Sequence, residues 1–373
     1  MKNSLNLDKT ANLRIPGLDA LRGIAALGVA IFHFHYYFDA GPNFLILQPF
    51  YNGAPFFVDL FFILSGFLLT QVYSHIKSYR ELLIRRIARL FPLQWLSLIL
   101  VMLGQYYYKL IYGTPFIYTF NDIYHFMLNI FLLQETGLQK GFSFNGPSWS
   151  ISVEWIINLI FFIFINKSKR LIIASLILIA SSLTLIVAFV GNLTYLTKLF
   201  GFLDTGLLKA CFGFFIGVLT AKLANLIHLR NSANFAWDVI TFLSLPALFY
   251  FLASTYINNM LGFQLAVVGL LMPLIIISVA NGRIFKKLLS LRPLTWLGDI
   301  SYAVYLLHFP IQIFIFMFRK HLPFPLNSGE ALLCYLVLVT SISHLVFVYF
   351  ERPAQTYVRN KLRHFPFIAA KAV

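Results

Sequence analysis

The sequence predicts an all-α polytopic integral membrane protein of about ten transmembrane helices, with both termini cytoplasmic. Three observations predict it. Of 373 residues, 59% are hydrophobic and only 11% charged, against about 25% charged in an ordinary soluble domain. The apolar residues fall into runs of spanning length, and Lys and Arg collect in alternate connections between them. Mean hydropathy is +0.78, and the 41 Phe residues suit lipid-facing walls and interfacial belts.

A helix crosses the hydrocarbon with about 20 apolar residues, in a range of roughly 17–25. Such runs lie at about 19–38, 55–73, 88–107, 150–166, 171–190, 205–224, 237–254, 262–280, 299–318 and 330–350. The piece at about 122–134 is short and holds Asp122, His125 and Asn129, so it is expected to be interfacial or re-entrant. With ten spans and both ends inside, every Lys and Arg except Lys109, Lys140, Lys198, Lys209, Arg319 and Lys320 falls on the cytoplasmic side. The positive-inside rule describes this asymmetry. Counting 122–134 as a span would invert everything after it.

The chain is expected to form one membrane domain over 1–373, with short cytoplasmic tails at 1–17 and 352–373 and no fused soluble domain. The first span, behind a basic lead with Lys2, Lys9 and Arg14, is expected to be an uncleaved signal-anchor. The formal charge of +16 is explained by membrane topology, and no nucleic-acid partner is expected. Cys211 and Cys334 both lie in apolar stretches and read as small apolar residues. No metal-ligand spacing, glycine-rich phosphate loop or serine-nucleophile motif appears, so no metal and no bound cofactor are expected.

Ionisable residues inside spans are the functional candidates, since a charge at a helix centre costs roughly 2.5–3.5 kcal/mol on insertion scales. In the stretch LDALRGIAALGVAIFHFHYYF, Arg22 and His33 are 11 residues apart. They therefore share a helix face about 16 Å apart along the axis, while His35 points elsewhere. Asp59 lies near the same depth in the second span and is placed to orient His33 as a carboxylate orients a catalytic imidazole; structural pairing near the headgroups is the alternative. In RELLIRRIARLFP, Arg85, Arg86 and Arg89 are neighbours on a helix. Together with Arg22 they would cradle phosphates, because guanidinium binds phosphate bidentately. Topology and anionic lipid account for them equally well. In NGPSWSISVEW, Glu154 shares a face with Ser150 near the outer surface, and in GDISYAVYLLHFP, His308 lies near mid-membrane. Gly213 and Gly217 suggest helix packing.

Six pieces in order, LDALRGIAALGVAIFH, FFVDLFFILSGFLLT, RRIARLFP, PSWSISVEW, LGDISYAVYLLHFP and FERPAQ, resemble the acyltransferase-3 family of integral membrane O-acyltransferases over about 340 residues. The resemblance implies about ten helices and transfer of an acyl group, usually acetyl from acetyl-CoA, to a hydroxyl of a cell-surface carbohydrate or lipid-linked saccharide. It also implies a bacterial inner membrane. By it, His33 is the catalytic histidine; taken with the residue reading above, Asp59 or Glu154 is expected to orient it. Arg22, Arg85, Arg86 and Arg89 hold the phosphates of acetyl-CoA, and Trp149, Ser150, Ser152 and His308 contact substrate. Direct transfer and an acyl-histidine intermediate are both compatible. The sequence departs from the family in having Trp155 after the SVE motif and Lys209 in place of an arginine, and no hydrolase-like domain is expected after residue 351. A transporter or flippase for a sugar-linked lipid is the alternative reading, since polar residues along spans also mark solute paths.

Overall fold

The computed structural model describes residues 15–73, 76, 78–164, 168–228 and 235–363. The cations Lys2, Lys9, Arg14, Lys77, Lys167, Arg230 and Lys371 lie outside these residues. Ten helices among the described residues are long and apolar enough to cross a membrane. The chain forms α1 (Pro16–Phe38), α2 (Gln48–Tyr73), α3 (Tyr79–Tyr112), α4 (Ile123–Ile130), α5 (Trp149–Phe164), α6 (Ser168–Leu185), α7 (Thr205–His228) and α8 (Phe235–Ala253). There follow α9 (Leu261–Ala266), α10 (Met272–Asn281), α11 (Ile284–Leu289), α12 (Arg292–Met317), α13 (Gly329–Val346) and α14 (Arg352–Arg363). A π-turn at Val267–Leu271 joins α9 to α10 as one span, and another at Phe347–Glu351 joins α13 to α14. Two short antiparallel strands, β1 (Lys198–Leu199) and β2 (Leu203–Asp204), interrupt an otherwise helical fold.

Local signals set the helix ends. Pro16 opens α1 at a first-turn position where its missing N–H costs nothing. Ser78 caps α3 by accepting from the Glu81 N–H, and Gly113 closes it with φ +78°. The expected span at 88–107 therefore starts nine residues earlier, because the cap lets the helix run through the arginine cluster. Asp122 caps α4 by accepting from the His125 N–H at 2.9 Å. With eight residues, α4 rises about 12 Å and is too short to cross.

Helix directions test the span count independently of charge. Gly23 of α1 packs against the backbone of Leu297 and Gly298 in α12, and ten residues further along each helix His33 meets His308. The two helices run parallel. Likewise Lys209 meets Pro55, Gly213 meets Asp59 and Gly217 meets Ile63, a constant offset that makes α2 and α7 parallel. Both relations require an odd number of spans between the paired helices, which holds only if α4 is not a span. Small residues permit this approach, as membrane helix packing favours. A Cβ at Gly217 would collide with the Ile63 carbonyl.

Candidate active site

The early start of α3 puts Arg85, Arg86 and Arg89 inside the bundle. With Arg22 of α1 they line a cavity of about 580 Å³, whose walls include Ser65, Ser150, Glu154, Tyr302 and Tyr305. A guanidinium at this depth is costly without a counter-charge, and each of the four has one. Arg22 Nη1 lies 3.5 Å from Asp19 Oδ1, and Arg85 donates to Glu81 at 2.7 Å. Arg86 donates to Glu154, whose same oxygen accepts from Ser65 Oγ at 2.7 Å. Arg89 pairs with Glu351, which is buried, and its guanidinium lies 4.9 Å from the centroid of the Tyr302 ring.

The parallel crossing of α1 and α12 creates a second polar cluster, a pair of histidines. His33 Nδ1 lies 3.0 Å from Val29 O and 3.2 Å from His308 Nε2, and the rings stack at 5.0 Å. His308 Nδ1 lies 3.3 Å from Val304 O. The carbonyls only accept, so the network assigns the proton to Nδ1 on both rings. His33 then shares its Nδ1–H between Val29 O and His308 Nε2. Its own Nε2 keeps a lone pair and has no hydrogen-bond partner among the described residues. That is the state a general base requires.

Tyr305 links the two clusters. It lines the cavity, its hydroxyl donates to Pro147 O at 2.8 Å and meets Ser150 Oγ at 2.6 Å, and its ring lies 5.9 Å from that of His308. His33 itself does not line the cavity. On its other side stands Tyr37, 5.3 Å from the His33 ring, whose hydroxyl meets that of Tyr118 from the 113–122 connection at 2.5 Å.

A sequence profile described as an acyltransferase domain matches residues 15–348. The chain belongs to the acyltransferase-3 family. Within it, the chain is similar to YrhL of Bacillus subtilis, 25% identical over 335 residues covering 80% of this chain and 49% of that protein. The O-acetyltransferase OatA of Staphylococcus aureus is 26% identical over 342 residues, 84% of this chain and 53% of its own. The peptidoglycan O-acetyltransferase OatA of Listeria monocytogenes is 24% identical over 327 residues, covering 80% and 49%. The chain thus spans about half the length of the curated relatives it matches. No solved structure matches it.

Against the expectations for an acyltransferase-3 protein, the site residues divide. Arg22, Arg85, Arg86, Arg89, Ser150 and Glu154 meet in one cavity, and His33 and His308 meet at the second cluster. The expected contacts of Asp59 and Glu154 with His33 are not formed. Asp59 is buried beside Lys209, with Nζ 3.2 Å from Oδ2, because α2 and α7 run in register and the buried ammonium takes the nearest carboxylate. Glu154 is held among the arginines by Arg86. Val29 O and His308 orient His33 instead. Ser152 accepts from the Glu135 N–H at 3.1 Å and donates to Leu132 O at 2.8 Å, so it fastens the 131–136 loop and has no donor left for substrate. Trp149 is buried edge-on to Phe62, outside the cavity lining.

Within the stretch expected as a tail from 352, residues 352–363 are helical and α14 packs against α3. Arg352, Gln355 and Arg359 of α14 complete the cavity wall. Their spacing of three and four residues in RPAQTYVRNKLR is the sequence signal that reveals this shared face. Tyr302 and Tyr305 carry no such signal, since tyrosines in an apolar span also read as packing.

Proposed function

We propose that this chain transfers an acetyl group from acetyl-CoA to a hydroxyl of a cell-wall saccharide in a bacterial plasma membrane. The observation that carries the reading is the His33 tautomer: a ring nitrogen with a free lone pair, held by a carbonyl and a second imidazole, one tyrosine away from an arginine-lined cavity. Membership of the acyltransferase-3 family supports the reaction class, and relatives named O-acetyltransferases support acetyl and a saccharide acceptor.

In this reading, acetyl-CoA enters the cavity with its phosphates on the arginine side and its thioester directed past Tyr305. The acceptor reaches His33 from the Tyr37–Tyr118 side. His33 Nε2 takes the acceptor's hydroxyl proton as oxygen attacks the thioester carbonyl. The carbon–sulfur bond then breaks, and the coenzyme A thiolate recovers the proton from the imidazolium. Direct transfer needs only this one base.

The test uses membrane vesicles carrying wild type or His33→Ala, supplied with acetyl-labelled acetyl-CoA and cell-wall saccharide. An alkali-labile labelled ester made by wild type and absent from the variant is the expected result. Movement of acceptor across the membrane without acetyl-CoA, and no ester, would favour transport instead.

A further inference from the structure

The cavity is lined by six arginines, and they are not equivalent. Arg22, Arg85, Arg86 and Arg89 each have a carboxylate partner. Arg352 and Arg359 of α14 have no ion-pair partner among the described residues, and Arg359 Nε is buried without a hydrogen-bond acceptor. Arg352 is stacked 4.5 Å over the Phe347 ring, an arrangement that fixes its guanidinium without neutralising it. The two lining arginines without a direct ion-pair partner among the described residues therefore lie on α14, with Glu351 and Glu81 acting on Arg352 and Arg359 only at longer range.

The helix carrying it is anchored in place. Arg363 pairs with Glu81, and Arg80 donates to the terminal carbonyls of Leu362 and Arg363 at 3.1 and 2.8 Å. Gln355 donates to the same Glu351 oxygen that pairs with Arg89. Arg352 and Arg359 are thus presented rigidly, two turns apart on one helix face, towards the cavity.

We propose that Arg352 and Arg359 form a phosphate-binding site for the nucleotide end of the acyl donor, while the carboxylate-paired arginines further in hold the bundle together and line the path of the neutral arm. This rests on the acetyl-CoA reading above. A phosphate group is the chemistry that matches: two guanidiniums not engaged in a direct ion pair offer it paired hydrogen bonds as well as charge. An anionic lipid headgroup carries the same chemistry, so the test separates the two sources.

The full chain is reconstituted in nanodiscs of phosphatidylcholine alone, or with phosphatidylglycerol added, as wild type and as Arg352→Gln, Arg359→Gln and the double variant. Two donors are compared, acetyl-CoA and the phosphate-free thioester S-acetyl-N-acetylcysteamine. Each lost charged hydrogen bond is expected to raise the KM for acetyl-CoA about tenfold, in both lipid mixtures, while the rate with the phosphate-free donor stays at the wild-type value. Competition by 3′,5′-ADP against acetyl-CoA is expected to weaken in parallel. Wild-type KM values in the variants overturn the proposal. So does equal loss with both donors, which marks α14 as structural, or an effect confined to phosphatidylglycerol discs, which assigns the arginines to lipid. If wild type transfers nothing from acetyl-CoA, the functional reading fails before this one is reached.

Discussion

Removing His308 separates orientation from proton transfer. In the structure, His308 supplies one of two acceptors for the His33 Nδ1–H, at 3.2 Å, and Val29 O supplies the other at 3.0 Å. Alanine at 308 therefore deletes one neutral hydrogen bond and leaves the tautomer held by the carbonyl. Such a bond is worth about 0.5–1.5 kcal/mol net, which converts to a loss of roughly 2- to 13-fold in rate. His33→Ala removes the base itself and is expected to cost about 10²–10⁴-fold. His308→Gln offers an amide oxygen to the same Nδ1–H and should recover most of the difference. The assay is kcat for ester formation at saturating donor and acceptor, with thermal unfolding of each variant as the control for folding. A well-folded His308→Ala that falls by 10²-fold or more would show that His308 does more than accept one hydrogen bond, since a spectator acceptor cannot carry that much. Equal defects in His308→Gln and His308→Ala would do the same.

Other consequences follow from the pairs described above. Arg86→Ala leaves the Glu154 carboxylate without its cation and should lower stability. The cost should stay below the roughly 3–5 kcal/mol of a fully buried pair, because Glu154 keeps 22% of its side chain exposed; adding Glu154→Gln should restore the melting temperature, and a melt unchanged in the single variant would contradict the pairing. Ser152→Ala should lower thermal stability by about 1–3 kcal/mol, the cost of leaving the Glu135 N–H and Leu132 carbonyl unmatched, while kcat at low temperature is preserved; a KM effect on acceptor would instead return Ser152 to the substrate. Glu135, in the loop after α4, is buried and beside Asp204, and burial first, then the neighbouring carboxylate, lifts it to about 8. A carboxyl with a raised pKa stabilises the fold in its protonated form, so stability in detergent should fall as pH rises from about 4.5 through about 8; Glu135→Gln should flatten that slope, and an unchanged slope would exclude the residue.

Much of the architecture was legible because hydrocarbon allows few alternatives. Long apolar runs and cation placement gave the ten spans, and the parallel α1–α12 and α2–α7 crossings agree with leaving 122–134 out of the count. Helical period alone puts Arg22 and His33 on one face, yet only Arg22 lines the cavity, while His33 stands against His308. What could not be read was lateral pairing. Asp59 and His33 have matching depth in sequence, yet depth says nothing about which neighbour a side chain faces. Lys209, 150 residues later in the chain than Asp59, takes the carboxylate because α7 lies against α2. The serines of the SWSISVE motif looked like one functional unit, but their alternate spacing sends Ser152 to a loop and Ser150 to Tyr305. Charge placement puts Arg352 and Arg359 on the cytoplasmic side but does not show which helix their own helix packs against.

The proposed reaction has a direction: donor enters at the α14 end, and the ester forms at the histidine end. Proteoliposomes with the chain in one known orientation, acetyl-labelled acetyl-CoA supplied on one side and saccharide on the other, test it directly. Ester should form only when acetyl-CoA is on the side bearing α14 and the saccharide faces the Tyr37–Tyr118 end. Ester formed with the two reversed, or equally with both on one side, would rule this direction out.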